Sequence, residues 1–187
     1  IAITVGEPHT EVVCRMNLGM TCCLLGEVGE GLSMLHTALD LCELTGDLRR
    51  AGVVLVMLAD VLADADRLDE GRARLDQALQ IAASSADRQL AHRAKLASVA
   101  VEARLGRLDD AEALLAEVGA VDSDAAEDRA KLWLARAEVA HARGDAPGCR
   151  RALEQIPALV NPALFGARYR TLSARSDLCA APRRSDL

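Results

Sequence analysis

A block of six residues returns four times along this 187-residue chain, and that repetition limits the fold more than any other feature. Gly26-Glu27-Val28-Gly29-Glu30-Gly31, followed by Leu35, Ala38 and Leu39, returns as Asp66-Arg67-Leu68-Asp69-Glu70-Gly71, followed by Leu75, Ala78 and Leu79. It comes again as Gly106-Arg107-Leu108-Asp109-Asp110-Ala111 with Leu115 and Val118, then as Gly144-Asp145-Ala146-Pro147-Gly148-Cys149 with Leu153 and Ile156. The blocks start 40, 40 and 38 residues apart. Spacing this regular marks a chain built from stacked supersecondary units, none of which buries its apolar face alone.

Each block has the chemistry of a turn between two helices. A Gly or Asp stands where a helix ends in the left-handed region, and Asp109 and Asp110 suit the first turn of the next helix through its dipole. Pro147 is expected at the first helical position, where a missing N–H costs nothing. Upstream lie runs of helical period such as Val54, Leu58 and Leu62; downstream, Leu75, Ala78, Leu79 and Ala82 share one face while Arg72, Arg74 and Asp76 take the other. Gly46-Asp47, Ser84-Ser85 and Asp122-Ser123-Asp124 read as links between units, the last opening an Asp124-x-x-Glu127 capping box. Hydrophobic residues reach 51%, yet Trp133, Phe165 and Tyr169 are the whole aromatic set besides histidine. A core of Ala, Leu and Val suits close-packed helices better than sheets. The expected class is all-α.

With Leu18-Gly19, Cys22 and Gly26 in its first helix and Gly31, Leu35 and Ala38 in its second, the first unit resembles a tetratricopeptide repeat in a form of about forty residues. In the fourth unit Trp133, Ala137, Ala140 and Gly144 follow the same pattern. The resemblance implies a right-handed α-α superhelix of four helix pairs, at about 10–45, 47–84, 86–120 and 124–157. A closing helix at 161–177 completes a single domain over 1–178, and a flexible tail follows at 179–187. The third unit departs from the pattern, because Ser98 and Glu102 fall at core positions. A turn slipped by one position would let Leu96, Val99, Ala100 and Ala103 form the buried face instead.

Catalytic and cofactor motifs are missing from the sequence. It has no phosphate-binding G-x-x-x-x-G-K-[ST] loop, no H-E-x-x-H and no G-x-S-x-G. The histidines His9, His36, His92 and His141 stand far apart, and the six cysteines Cys14, Cys22, Cys23, Cys42, Cys149 and Cys179 include no C-x-x-C pair, so they read as core filler. No enzyme, cofactor or metal site is expected. A net charge of −6 argues against a nucleic-acid surface. Only Lys95 and Lys131 among the 22 basic residues are lysines, a bias that suggests GC-rich bacterial coding. Without a membrane-length apolar run or a signal-peptide pattern, the chain reads as cytoplasmic. Its start at Ile1 reads as that of a fragment.

In the tetratricopeptide family the first helix of each pair lines a concave ligand face. Carried across, that face comprises Val13, Met16, Met20, Cys23 and Leu24 in the first unit and Val53, Val56, Asp60 and Asp64 in the second. The third contributes Arg93 and Arg104, and the fourth Lys131, Leu134, Glu138 and His141. The expected occupant is a protein, a peptide or a small effector. For the Met16 and Met20 end two readings stand open: a binding surface, or a seat for an upstream repeat, which would also allow a homodimer. Met16 and Met20 occupy places where some family members carry a clamp for a terminal carboxylate, so that mode is disfavoured. The linker Leu44-Thr45-Gly46-Asp47-Leu48-Arg49-Arg50 resembles those in the helical arrays of large bacterial ATP-dependent transcriptional regulators, which implies a sensing segment. A free-standing adaptor between two proteins is the second reading, and an enzyme using Cys22 or His141 the third.

Overall fold

The computed structural model describes residues 8–119, 125–161 and 169–175. They form α1 (Pro8–Leu25), α2 (Val28–Thr45), α3 (Leu48–Asp64), α4 (Leu68–Ser85), α5 (Arg88–Arg104), α6 (Leu108–Gly119), α7 (Ala126–Ala142) and α8 (Ala146–Leu153). A further helical stretch covers 169–175, and no strand occurs among the described residues. The chain is therefore all-α and built of adjacent packed helix pairs, α1 on α2, α3 on α4 and α7 on α8. Contacts divide it into two compact units, 1–97 and 98–187, with the division inside α5. In the first unit Leu35, Val54, Leu58 and Leu75 are fully buried. In the second, Ala130, Leu134, Ala137, Cys149, Ala152, Leu153, Ile156 and Leu172 form one cluster, against which Trp133 and Tyr169 pack.

The turns repeat down to single hydrogen bonds. The N–H of Gly26 reaches the carbonyl of Cys23 at 3.1 Å, and that of Glu27 reaches Cys22 at 2.9 Å. The same two bonds recur from Asp66 to Ala63 and Arg67 to Leu62, from Gly106 to Ala103 and Arg107 to Glu102, and from Gly144 to His141 and Asp145 to Ala140. Gly26, Gly106 and Gly144 have φ of +94°, +78° and +77°, while Asp66 takes φ +61° without being glycine. This closure satisfies carbonyls that a helix end leaves open. It also fixes a register in which Cys22, Leu62, Glu102 and Ala140 are equivalent.

That register corrects the expected slip. The third turn closes like the others, so Glu102 keeps its core position, 6% exposed, and Arg107 donates to its Oε2 at 3.3 Å. Pairing the carboxylate removes the reason to rotate the helix. Ser98, Val99, Ala100, Val101 and Ala103 are all buried as well.

Other expectations shift by a few residues. Ser84 and Ser85 do not form a link: their hydroxyls donate to the Ile81 carbonyl at 2.9 and 2.7 Å, α4 continues through Ser85, and Ala86 closes it at φ +53°. Pro147 stands one place inside α8, whose N-cap Asp145 accepts from Gly148 N–H at 2.9 Å. Asp122, Ser123 and Asp124 lie outside the described residues; the residue at the N-cap of α7 is Ala125, which makes no side-chain cap. The tail 179–187 and most of the closing helix before 169 also lie outside them. Among the described cysteines Cys42 and Cys149 are buried, Cys22 and Cys23 are half-buried, and Cys14 is exposed, against the expectation of core filler.

Candidate interaction surface

Counting back from the turns gives the equivalent positions of each first helix. Val13, Val53, Arg93 and Lys131 share one, Met16, Val56, Leu96 and Leu134 a second, and Met20, Asp60, Ala100 and Glu138 a third. A separate set, Cys14 with Val54, Leu18 with Leu58, and Thr21 with Val61, faces elsewhere on the helix. The two sets behave differently. Val54 and Leu58 are 0% exposed and Val61 4%, whereas Leu18 is 54% exposed and Cys14 and Thr21 are exposed with it. Met16 and Met20 are half-buried, as are Val56 and Asp60 in α3. Among the described residues the side of α1 left uncovered is thus the Cys14, Leu18 and Thr21 side, while Met16 and Met20 match Val56 and Asp60 of α3 and differ from the buried Leu96, Ala100, Leu134 and Glu138.

In the first unit Val13 and Leu24 are exposed at 41% and 49%, Met16, Met20, Val53, Val56, Asp60 and Arg93 are half-buried, and Asp64 is exposed. Cys23 turns inward, its sulfur lying against Gly31 of α2. Burial first, then the neighbouring Cys22 and Asp64, raises its thiol above the ordinary value, so α1 and α3 come together at this end. Asp47, at the other end, caps α3 through Arg50 N–H at 3.1 Å. Burial would raise its carboxyl, but the bonds and charge of Arg50 and the charge of His9 outweigh that and hold it below the usual range.

The second unit treats its predicted residues differently. Leu134 is 4% exposed and belongs to the core cluster, so it is a packing residue, and Glu138 is also buried at 4%. α7 packs against both α6 and α8. Lys131 pairs with Glu127 at 2.8 Å across one helical turn. His141 stands 3.3 Å from Arg175, and burial followed by that positive charge lowers its pKa. Arg104 is half-buried. Trp133 carries the Arg136 guanidinium 4.4 Å from its ring centroid.

The sequence reading missed one cluster. Cys22, Glu27 and Glu30 bring ligand atoms within 4.8 Å of one another at the first turn. At the same corner of the next two units an arginine replaces Glu27: Arg67 pairs with Glu70 at 2.6 Å, and Arg107 with Glu102 at 3.3 Å. Burial first, then Glu30 and Glu27, pushes the Cys22 thiol up. Glu27→Arg replaces a repelling charge with an attracting one and is expected to move Cys22 titration to lower pH. The pH dependence of its alkylation, followed on the Cys22 peptide by mass spectrometry, would read this; an unmoved profile would separate Glu27 from the thiol.

Among the described residues no helix is long and apolar enough to cross a membrane. A tetratricopeptide-repeat family model matches residues 52–81 and 129–155, the second and fourth helix pairs. Repeats of this family are typically non-catalytic protein–protein interaction modules. No curated protein is matched by the chain.

Proposed function

Because this chain carries tetratricopeptide repeats, we propose that it is a non-catalytic interaction segment that receives a protein or peptide partner on the first-helix face of its leading unit. The support is the exposure pattern of α1. Met16 and Met20 keep the half-buried state of Val56 and Asp60, so their exposure is not the mark of a missing neighbour. Methionines on such a face adapt to differently shaped apolar side chains. The linker resemblance favours a sensing role inside a bacterial transcriptional regulator, where an effector protein, peptide or small molecule would bias flanking modules through unequal affinity for two states. A full gene that encodes a nucleotide-binding loop or a helix-turn-helix beside this segment supports that role. A reading frame little longer than the chain sinks it and leaves an adaptor.

The face itself is tested by displayed peptide selection against the whole chain. Selected peptides are expected to lose binding with Met20→Glu or Val56→Glu and to keep it with Leu18→Glu. Loss only with Leu18→Glu would move the site to the other side of α1.

A further inference from the structure

Among the described residues one cation on this face keeps an unmatched donor. Arg93, in α5, stands at the position held by Val53 in α3 and Val13 in α1, and its Nε is buried without a hydrogen-bond partner. A guanidinium donor taken from water and left unmatched is costly, and Arg93 as a whole is only half-buried, so the residue still presents surface at which a carboxylate can meet its charge. The acidic groups at that end of the unit are already engaged. Asp47 accepts from Arg50 and lies 3.4 Å from His9, while Asp87 holds Arg49 at 3.2 Å and caps α5 through the N–H groups of Gln89 and Leu90. Asp60 and Asp64 sit 7 and 11 residues further along α3 than Val53, about 10 and 16 Å along its axis.

We propose that Arg93 receives an internal Asp or Glu side chain of an extended peptide whose apolar residues lie over Met16, Met20, Val53 and Val56. This rests on the interaction face proposed above and adds the chemistry of its occupant. An internal carboxylate is the fit, since a chain terminus would call for polar donors where Met16 and Met20 stand. With neighbouring helix axes about 8–10 Å apart, crossing from α1 to α5 takes about five or six extended residues. The carboxylate lies at the Arg93 end, away from Asp60 and Asp64, so the peptide has one orientation.

The test uses the whole chain and a fluorescent array of capped hexapeptides with Leu one to four residues from a Glu, their Gln counterparts, and uncapped versions ending in a free carboxylate. Capped Glu peptides are expected to bind about ten- to hundredfold tighter than the Gln set. Arg93→Gln should erase that ratio while circular dichroism stays unchanged, and Met20→Glu should remove binding of both sets. Equal binding of Glu and Gln peptides, still lost with Met20→Glu, overturns the carboxylate and leaves the face. Preference for the free terminus overturns the internal acid. Absence of binding by every peptide overturns both readings.

Discussion

Leu58→Ala is expected to lower the unfolding free energy by about 2–5 kcal/mol, whereas Leu18→Ala, at the equivalent position of the preceding unit, should change it by no more than about 0.5 kcal/mol. Leu58 is fully buried, so truncation removes apolar contacts and leaves a cavity that rigid neighbouring helices only partly fill. Leu18 is 54% exposed and opens no cavity. Urea denaturation of the two variants decides the matter. Comparable losses would mean that the outer side of α1 is covered in solution, and light scattering would then reveal a second copy as the cover.

Gly31→Val should be nearly as damaging, at about 2–4 kcal/mol, or a fall of about 4–16 °C in Tm. A Cβ at Gly31 would run into the Cys23 sulfur and come within 2.6 Å of the Gly19 carbonyl oxygen, a backbone atom that cannot step aside. Gly71→Ala should hurt less, because the Ala59 carbonyl oxygen is 3.2 Å away. Gly29→Ala meets nothing within 4 Å and should gain about 0.5–1 kcal/mol from helix propensity. Melting curves for the three variants would rank them. A benign Gly31→Val would show that α1 and α2 sit further apart than described.

The turns were legible because few residues tolerate φ near +60°, so Gly26, Gly106 and Gly144 announce themselves and Asp66 follows by spacing. Ser84 and Ser85 misled because a serine hydroxyl can bond backward to a carbonyl and prolong a helix as readily as end it. Glu102 misled for another reason: polarity suggests a surface, and nothing local reveals that Arg107, five residues on, will accompany it into the core. Leu134 and Glu138 show the limit of carrying family positions across, since burial depends on what packs beside α7. The orphaned Nε of Arg93 has no sequence signal, because an unmet donor is visible only once its surroundings are.

The bare outer side of α1 has a use in construction. Cys14, Leu18 and Thr21 repeat the spacing with which Val54, Leu58 and Val61 seat α3 in its unit. A helix pair copied from residues 8–47, α1 with α2, and spliced ahead of α1, with Cys14 and Thr21 changed to valine, would meet a surface already shaped to receive it. The molecule can be lengthened by arithmetic in steps of forty residues, without a new interface being invented.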